Sequence, residues 1–591
     1  MRSTAFQSLR AGRRRRLLLS AFVLCCGLAL LALLPVGPAS WLIPSAWAHA
    51  LPVRSEPGQG AILRKAPSQV HIWFDDVLVP ANSHMSVLDP HGHEVDRRDS
   101  RVSRSNPREI SVTLAKLPAG TYTVLWVAQS ADDGHITEGS FVFSVTLPDG
   151  TVPPLPEGAS SAGGGASPGT SFMLNGPIVL QALATWLALL GMTFWVGGLI
   201  WETWVLTPGA SDDPDLALAS WVASRRFHRL VPYALGTVLL ADVALVLGQA
   251  AGLTGQWSSA FAPSSLQSIL FGSHFGLFWW MREAVVLAAL SLWWLSARRG
   301  WLPRRERRRE TASVPDGGEA QSVPDWRRGV VQVVRGIPHL PAQLLLGWRR
   351  STWIGRVEVL LGAALLVAFA FTGHATAVPS SEWGFSLSVD LLHLVGNAAW
   401  VGGLLYIGVV LVPELSKLGT RSRARVLARG LPAFSVLAVT SAVVLTATGP
   451  LNATVHMTSF QQFLTTPYGW TLAVKIECFL LMVAISAYHA FFLRPRLVQA
   501  LAPSMPGAPA LAQVETMHAG VSGKARATSG VSEMPSGQLG DQDDEHNVGQ
   551  MRRLAERMES WLQREAALGG AVLLCVALLS VVFAGTLGPP V

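Results

Sequence analysis

Two hydrophobic patterns divide the chain. In the first part, short stretches alternate apolar and polar residues with a period of two, which predicts half-buried β-strands. The apolar positions of three such stretches are Val70, Ile72, Phe74, Tyr122, Val124, Trp126, Phe141, Phe143 and Val145. Turn-forming Gly, Pro and Asp residues separate these stretches. We therefore predict a small all-β domain, a Greek-key sandwich or barrel, over residues 49–147.

Long apolar runs replace this alternation from residue 178 onwards. Eight of them are close to the length of about 20 residues that an α-helix needs to cross a bilayer. Their approximate cores are 178–205, 229–250, 276–296, 353–373, 387–411, 431–450, 469–492 and 567–586. The pattern predicts an all-α polytopic bundle of eight transmembrane helices over residues 176–591. Residues 148–175 are rich in Pro, Gly and Ser, and we expect them to be a flexible linker.

The distribution of basic residues predicts the orientation of these helices. The loops that carry the arginines are 207–228, 298–352, 413–430 and 494–566, and the loops without any Lys or Arg are 252–274, 375–386 and 451–467. By the positive-inside rule the first set is cytoplasmic and the second external. The β domain and the C-terminus then lie on the periplasmic or extracellular side of the plasma (inner) membrane.

The loop 494–566 contains a further pattern that predicts a helix. Residues 502–547 are rich in Pro, Gly, Ser and acidic residues, which predicts disorder. The apolar residues that follow share one helix face and are Leu554, Met558, Trp561 and Leu562. This spacing predicts an amphipathic helix that lies on the inner membrane surface before the eighth span.

Composition supports a membrane protein and excludes several other classes. Half of the 591 residues are hydrophobic and 22 are Trp, which is untypical of a soluble enzyme. The net charge of +8 comes from short basic blocks beside apolar runs, so it reflects topology, and we expect no nucleic-acid partner. The sequence has no phosphate-binding loop and no Cys-Pro-Cys ion motif, which excludes an ATP-driven pump. We expect no enzyme activity.

The first 48 residues have the features of a signal peptide. Arg13 to Arg16 precede the apolar run 17–34, and small residues at Ala46 and Ala48 form an A-x-A cleavage site. Cleavage after Ala48 would leave His49 at the N-terminus, where its α-amine and imidazole can chelate one metal ion together. If the leader stays attached as an anchor, His49 is an ordinary linker residue.

Asp133 and His135 are candidate partners of His49. They are two residues apart with Gly134 nearby in the same loop, so a carboxylate and an imidazole can turn toward one centre. Alone, this spacing is typical of a solvated turn. With His49 it supplies an amine, two imidazoles and a carboxylate, a donor set that suits tetragonal Cu(II). A thiolate site is excluded for the exported domain, because the four cysteines are Cys25, Cys26, Cys478 and Cys575.

Spaced residues along the β domain resemble the periplasmic copper-binding protein family CopC. The residues that carry the resemblance are Ser55, Pro57, Gly60, Leu63, Ala66, Pro67, Val70, Asp133, Gly134, His135, Gly139, Phe143 and Val145. The resemblance implies that His49, Asp133 and His135 bind Cu(II). Some CopC proteins carry a methionine-rich Cu(I) site, to which this domain, with Met85 alone, has no counterpart. We expect the other histidines, His71, His84, His91 and His93, at the surface.

The membrane part is duplicated. The sequence Trp-Val-Gly-Gly-Leu at residues 195–199 recurs at residues 400–404. Further matches are Phe275-Gly276 and Arg282 with Tyr468-Gly469 and Lys475, and Glu358 and Gly362 with Glu565 and Gly569. These matches predict a four-plus-four repeat of parallel orientation. The paired glycines allow helices to approach closely.

The two halves differ at polar positions. Asp390, His393, Asn397 and Trp400 share one face of the fifth segment, where the first segment has Thr185, Ala188, Met192 and Trp195. His374 ends the fourth segment on the external side, at a depth similar to that of His393. Ionisable residues within a span are functional candidates. The alternative is that the two histidines lie at helix ends among lipid headgroups.

The eight segments with their repeated Trp-x-Gly-Gly resemble the copper-resistance membrane protein CopD. A CopC-like domain before a CopD-like region implies a role in copper uptake and homeostasis. The leading hypothesis is that His49, Asp133 and His135 capture Cu(II) and that copper crosses the membrane, inward, near His374, Asp390 and His393. Copper, the bilayer and soluble periplasmic copper chaperones are the expected partners. The alternatives are a membrane oxidoreductase with haem b on the bundle histidines, and a copper buffer or sensor that transports nothing.

Overall fold

A computed structural model of the chain describes residues 50, 52–74, 76–131, 136–152, 176–206, 213–252, 256–271, 273–298, 340–372, 383–454, 457, 460–501 and 537–582. The predicted signal peptide and most of the predicted linker lie outside these residues. So do four predicted copper ligands, His49, Asp133, His135 and His374. Asp390 and His393 are described.

The N-terminal part folds into two packed β-sheets. The strands are β1 Pro52–Glu56, β2 Ile62–Leu63, β3 Gln69–Phe74, β4 His84–Leu88, β5 Arg101–Val102, β6 Glu109–Thr113, β7 Gly120–Gln129 and β8 Ile136–Val145. One sheet has the order β1-β3-β6-β5 and the other β2-β8-β7-β4. The pairs are antiparallel except β2 with β8. Of the two predicted architectures, a sandwich is confirmed.

The predicted alternation explains the core of this sandwich. All nine apolar positions of the three stretches are buried, and Val70, Ile72 and Phe143 have no exposed surface. The ring of Tyr122 stacks on Phe143 at 5.5 Å between centroids, and its hydroxyl donates a hydrogen bond to the Pro118 carbonyl at 2.8 Å. Among the described residues no disulfide stabilises this core. The two described cysteines, Cys478 and Cys575, are free and lie in the second part of the chain.

The second part is a helical bundle. Its long helices are α1 Gly176–Ile200, α2 Pro214–Gly252, α3 His274–Arg298, α4 Trp353–Phe371, α5 Trp383–Tyr406, α6 Thr420–Thr454, α7 Pro467–Tyr488 and α8 Gly537–Ala577. A π-helical turn continues α1, α5, α7 and α8, and shorter helices lie at Pro263–Phe271, Leu340–Arg350 and Phe460–Thr465. Within the described residues, eight helices are long and apolar enough to cross a membrane, as predicted.

Several helices start earlier than predicted. α2 begins within the predicted loop 207–228, and α6 begins within the predicted loop 413–430. The reason is that these additional turns bury apolar side chains, among them Phe227, in the main hydrophobic core of the bundle. α8 begins at Gly537, inside the stretch for which disorder was predicted.

The amphipathic segment before the eighth span does not form a separate surface helix. It is the first part of α8, and Met558 and Leu562 are buried in the core of the bundle. Arg423 at the start of α6 forms an ion pair with Glu559. The apolar face of this segment therefore packs against protein. The spacing of the apolar residues predicts such a face but does not tell whether protein or lipid covers it.

The duplication is visible at the centre of the bundle, where α1 crosses α5. A methyl group on Gly197 would overlap Gly402, and one on Gly402 would overlap the backbone at Gly197 and Thr193. The equivalent tryptophans Trp195 and Trp400 are both buried. The helices therefore cross backbone against backbone, as the paired glycines predict.

The neighbouring contacts repeat in the same way. Gly198 faces the ring of Phe227 on α2, and Gly403 faces the ring of Phe434 on α6. Likewise Gly362 on α4 contacts Val196, whereas Gly569 on α8 contacts Val401. These pairs relate α1–α4 to α5–α8, and we call them the first and the second half.

Candidate functional site

The start of the β domain is fixed beside the strand that follows the predicted copper loop. Ala50 is fully buried, and its carbonyl accepts a hydrogen bond of 2.6 Å from the hydroxyl of Thr137 in β8. The same hydroxyl lies 3.3 Å from the Ala128 carbonyl in β7. Residue 49 is one peptide from Ala50, and residue 135 is two from Thr137. The predicted ligands His49 and His135 are therefore one and two residues away in sequence from Ala50 and Thr137, which contact each other directly.

The first side of the predicted copper loop is also fixed. Ser130 is buried at the end of β7 and donates a hydrogen bond to the Asp76 carboxylate. The second carboxylate oxygen accepts the Val77 N–H at 2.6 Å, and the Ala131 N–H donates to the Val77 carbonyl at 2.8 Å. Residues 132–135 therefore connect two anchored strand ends.

Gly139 has a structural explanation. It pairs with Trp126 across β7 and β8, and a methyl group on Gly139 would lie 2.6 Å from the indole ring. Trp126 in turn packs edge-on against Phe74 of the other sheet, with ring centroids 5.4 Å apart. Only glycine leaves room for the indole, so this position of the resemblance belongs to packing and not to metal binding.

The other histidines of the sandwich lie at its surface, as expected. His84, His91 and His93 are exposed, and half-buried His71 lies 2.8 Å from the Glu109 carboxylate. Slight desolvation raises the pKa of Asp89, but the N–H groups of His93 and His91 outweigh it and hold the pKa below the ordinary value. This carboxylate closes a local turn.

The sandwich contacts the bundle at the end of β7 that leads to the predicted loop. The Asn82 amide donates to the Gln129 side chain at 2.6 Å and lies 2.8 Å from the hydroxyl of Ser268. Ser268 belongs to the short helix Pro263–Phe271 before α3. We call the end of the bundle that carries this helix the near end, and the opposite end the far end.

In the second half, the predicted pair Asp390 and His393 faces α6. His393 Nδ1 lies 2.8 Å from the Thr448 hydroxyl, and the Asn452 amide donates to the Asp390 carboxylate at 3.2 Å. Thr448 and Asn452 are four residues apart and share one face of α6. With a rise of 1.5 Å per residue, His393 is about 15 Å along the helix axis from the start of α5. Its imidazole is thus bonded to a neighbouring helix of the bundle.

A lysine side chain acts on both Asp390 and His393. Lys475 on α7 interacts electrostatically with both Asp390 and His393. Asn397, predicted on the same face, instead points its amide at the Thr193 hydroxyl on α1, 3.4 Å away. Among the described residues no three His, Cys, Asp or Glu side chains converge closely enough to hold a metal ion. The described part of the predicted path is thus two candidate ligands beside an ammonium group.

The first half has a different polar group at the matching level. Arg282, the counterpart of Lys475, forms a 2.7 Å ion pair with Asp242 of α2, and both side chains are almost completely buried. The guanidinium also donates to the Thr372 hydroxyl at 3.3 Å and lies 4.4 Å from the centre of the Phe369 ring. Glu283, the next residue on α3, is 4% exposed.

Sequence reasoning missed polar contacts toward the far end. The Tyr406 hydroxyl donates to the Glu202 carboxylate at 2.5 Å, which joins α5 to the π-helical turn after α1. His489 lies 3.4 Å from the buried carboxylate of Glu565, which also accepts a hydrogen bond from Ser486. The sequence feature that could have identified these residues is an ionisable side chain within an apolar run, the same feature that identified Asp390. Both Glu202 and His489 lie where a span was expected to end.

Comparison with protein families places three known domains along this chain. Residues 52–146 match the CopC domain, which includes Asp133 and His135 but begins after His49. Residues 173–308 match the copper resistance protein D-like N-terminal domain, and residues 428–523 match copper resistance protein D. The first match coincides with the sandwich and the other two with the bundle.

Individual relatives agree with these matches. The chain is 27% identical over 459 residues to the copper transport protein CutJ of Bacillus subtilis, which is 77% of this chain and 70% of the relative. It is 24% identical over 197 residues to copper resistance protein D of Pseudomonas syringae pv. tomato, which covers 29% of this chain and 63% of the relative. The crystal structure of CopC from Methylosinus trichosporium OB3b is 30% identical and covers 16% of this chain and 93% of that chain, with a TM-score of 0.15.

Proposed function

We propose that this chain, in which a CopC domain precedes two domains of the copper resistance protein D type, imports copper across the plasma membrane. In this proposal the processed N-terminus and imidazole of His49 bind Cu(II) together with Asp133 and His135. The bundle then carries copper past His374, Asp390 and His393. The protein acts as a transporter and not as an enzyme, and soluble periplasmic chaperones supply the metal.

The hydrogen bond between Thr137 and Ala50 is the observation that carries the Cu(II) site. It holds the chain next to residue 49 against the strand that begins at residue 136. A consecutive Cα–Cα step is 3.8 Å, so residues 49 and 135 are each within one or two steps of this contact. An amine, two imidazoles and a carboxylate can therefore meet there, and such nitrogen and oxygen donors favour Cu(II) over Cu(I).

The contact between Asn82 and Ser268 supports transfer from the sandwich to the bundle. Gln129, which accepts from Asn82, directly precedes the predicted copper loop, residues 130–135. The end of the sandwich that carries the predicted copper loop therefore lies beside the near end of the bundle. In the proposed orientation the near end is external, since its loops carry no Lys or Arg.

The far-end basic residues support the same orientation. Arg425 and Arg429 of α6 form ion pairs with Asp215 and Asp213 at the start of α2. Arg226 pairs with Glu414 after α5. A basic far end is expected on the cytoplasmic side, so capture at the near end implies movement of copper inward.

The haem alternative finds little support in the described histidines. A haem b held by two axial histidines, as considered above, needs two imidazoles that face each other. His393 bonds Thr448 at about 15 Å from the near end, whereas His489 contacts Glu565 toward the far end, so these two do not form such a pair. An absorption spectrum of the purified protein tests this alternative directly.

Cu(II) binding by the full-length protein tests the outer site. We expect the variant His49→Ala to lose tight Cu(II) binding, measured by electron paramagnetic resonance during titration against a competing chelator. Leucine at both Ala46 and Ala48, which blocks cleavage, is expected to have the same effect, with mass spectrometry to verify the N-terminus. His91→Ala is the matched control, because it removes an exposed imidazole of the same sandwich. Unchanged affinity in His49→Ala would eliminate the proposed chelate.

Radioactive copper in vesicles of known orientation tests transport. Accumulation in right-side-out vesicles and its absence in inverted vesicles supports import. The opposite pattern means export. Copper that is bound at the outer site but never crosses the membrane in either preparation identifies a buffer or sensor.

A further inference from the structure

The first half of the bundle contains two buried carboxyl groups that share one cation. Asp242 of α2 is fully buried and Glu283 of α3 is 4% exposed. The two side chains lie within hydrogen-bonding reach of each other. Arg282 is paired to the Asp242 carboxylate and is the cation in contact with them. With both carboxyls ionised, the group would carry one net negative charge.

Among the residues that the structure describes, the surrounding helices contribute no further cation that compensates this excess charge. α4 contributes the Thr372 hydroxyl and the Phe369 ring to Arg282. The near end of α1 contributes Gln181, whose amide bonds the Gly248 carbonyl instead. α3 adds Trp279, which donates to the Asp242 carbonyl at 3.2 Å. The charged groups that act on the two carboxyls are each other and Arg282.

The free oxygens show where the compensation is needed. One oxygen of Asp242 and both oxygens of Glu283 find no hydrogen-bond donor among the described residues. An unpaired carboxylate in an apolar interior is costly, and two adjacent carboxylates cannot both stay ionised beside one cation. A water molecule could donate hydrogen bonds here but would leave the net charge unchanged. A proton between the two carboxyls supplies a donor and neutralises the group at once.

The depth of the group fits a role in transport. Asp242 is ten residues from the near end of α2, which corresponds to about 15 Å along the helix axis, within the apolar span. Arg282 is the counterpart of Lys475, so the group lies at the level of the Asp390–His393 pair in the other half. Ionisable pairs at this depth mark proton relays in membrane transporters.

We propose that Asp242 and Glu283 form a proton-binding site and that its loading and unloading are coupled to copper movement. The site binds one proton, which converts two carboxylates beside Arg282, with a net charge of −1, into one carboxylate and one carboxylic acid beside Arg282, with a net charge of zero. The coupling rests on the proposed transport function, whereas the proton site does not.

Infrared difference spectroscopy of the full-length protein tests the site without any transport. We expect a band of a protonated carboxylic acid at neutral pH that shifts in deuterated water. Glu283→Gln should remove the contribution of this site from the band, seen in the wild-type minus variant difference, while leaving the Arg282–Asp242 pair in place. Glu556→Gln is the matched control, since Glu556 is an exposed carboxyl at the far end that pairs with Arg552. An identical band in wild-type protein and Glu283→Gln would overturn the proposal, and a thermal unfolding scan verifies that each variant is folded.

Copper accumulation in proteoliposomes with an imposed pH gradient tests the coupling. If one proton moves per copper ion, each unit of pH difference shifts the accumulation ratio about tenfold, and the sign tells whether the two move together or in exchange. We expect this shift in wild-type protein and in Glu556→Gln, and its loss in Glu283→Gln. An equal shift in all three overturns the coupling. Wild-type protein that moves no copper at all contradicts the proposed function, and the infrared result then still decides the proton site.

Discussion

The two halves of the bundle share their packing but not their polar chemistry. Gly197 and Gly402 meet at the centre, and Gly198 and Gly403 face equivalent phenylalanines. In contrast, the first half buries an ion pair between α2 and α3, whereas the second half places an acid and an imidazole on α5 with a lysine on α7. The comparison separates what the architecture requires from what can change.

The difference has a physical reason. A side chain at the glycine crossing would overlap a backbone that cannot rotate away, so both copies are held to glycine. A buried polar group needs only a partner within reach, and several pairs of residues can satisfy that need. Arg282 with Asp242 and His393 with Thr448 are two solutions at similar depth. We therefore expect the function to depend on the residues at which the halves differ.

The largest effect is expected for copper uptake when the second half loses its imidazole. His393→Ala should reduce uptake into vesicles to the level of empty vesicles, because it removes a ligand of the proposed path. Thr185→Val, at the position in the first half that matches Asp390, should leave uptake unchanged. Equal loss in both variants would mean that the halves contribute alike, against the asymmetry described above.

The next largest effect concerns the ion pair of the first half. Arg282→Gln leaves the Asp242 carboxylate buried without its cation, which typically costs about 3–5 kcal/mol. Lys475→Gln should cost less, because the Asp390 carboxylate keeps the hydrogen bond from the Asn452 amide when the lysine is lost. Unfolding of the purified protein in detergent measures both. A larger loss for Lys475→Gln would reverse this ranking of the two halves.

The glycine crossing is expected to respond equally in both halves. Gly197→Ala and Gly402→Ala should each destabilise the bundle by about 1–3 kcal/mol, because either methyl group overlaps the opposing backbone. Gly236→Ala is the control, since a methyl group there meets nothing within 4 Å, and alanine is the better helix former by about 1 kcal/mol. Unequal losses at 197 and 402 would show that the crossing is not symmetric.

The smallest effect is expected for the ion pair that joins the halves at the far end. Slight desolvation raises the pKa of Asp213, but the hydrogen bonds from Arg429 and from the amides of Asp215 and Leu216 outweigh it, so the pKa lies below the ordinary value of 3.8. Its contribution to stability is therefore fully present above that value and is lost as the pH falls through the lower pKa of the folded state. Arg429→Gln should cost about 0.2–1 kcal/mol at pH 7.

Salt and acid titration of unfolding check this last prediction. The loss in Arg429→Gln should diminish at high salt and vanish in acid, since Arg429 is well exposed. A loss that is the same at all salt concentrations would point to packing instead of charge.

Much of the fold could be predicted because each signal is local. Val70, Ile72 and Phe74 repeat every second residue, and a run of about 20 apolar residues predicts a span by length. The early starts of α2 and α6 could not be predicted in this way. There the apolar face that holds Phe227 is interrupted by polar residues that face the other side of the helix.

The candidate sites were predictable only where the partners lie on one helix. Asp390 and His393 are three residues apart, so their shared face follows from the sequence. The pairing of Asp242 with Arg282 depends on which helices pack together, and 40 residues separate them. The contact of Asn82 with Ser268 spans 186 residues and two domains. Three-dimensional arrangement, and not residue type, was the missing information.

The reciprocal contact of Gly197 with Gly402 has a consequence for how such a chain could arise. A contact in which each partner presents the same stretch to the other is isologous, and it forms equally well between two identical molecules. A single four-helix chain with Trp-Val-Gly-Gly-Leu would meet a second copy of itself at this seam as a twofold homodimer. Joining the two copies into one polypeptide frees each from the identity that symmetry imposes, so that one subunit-sized half can specialise while the seam stays the same.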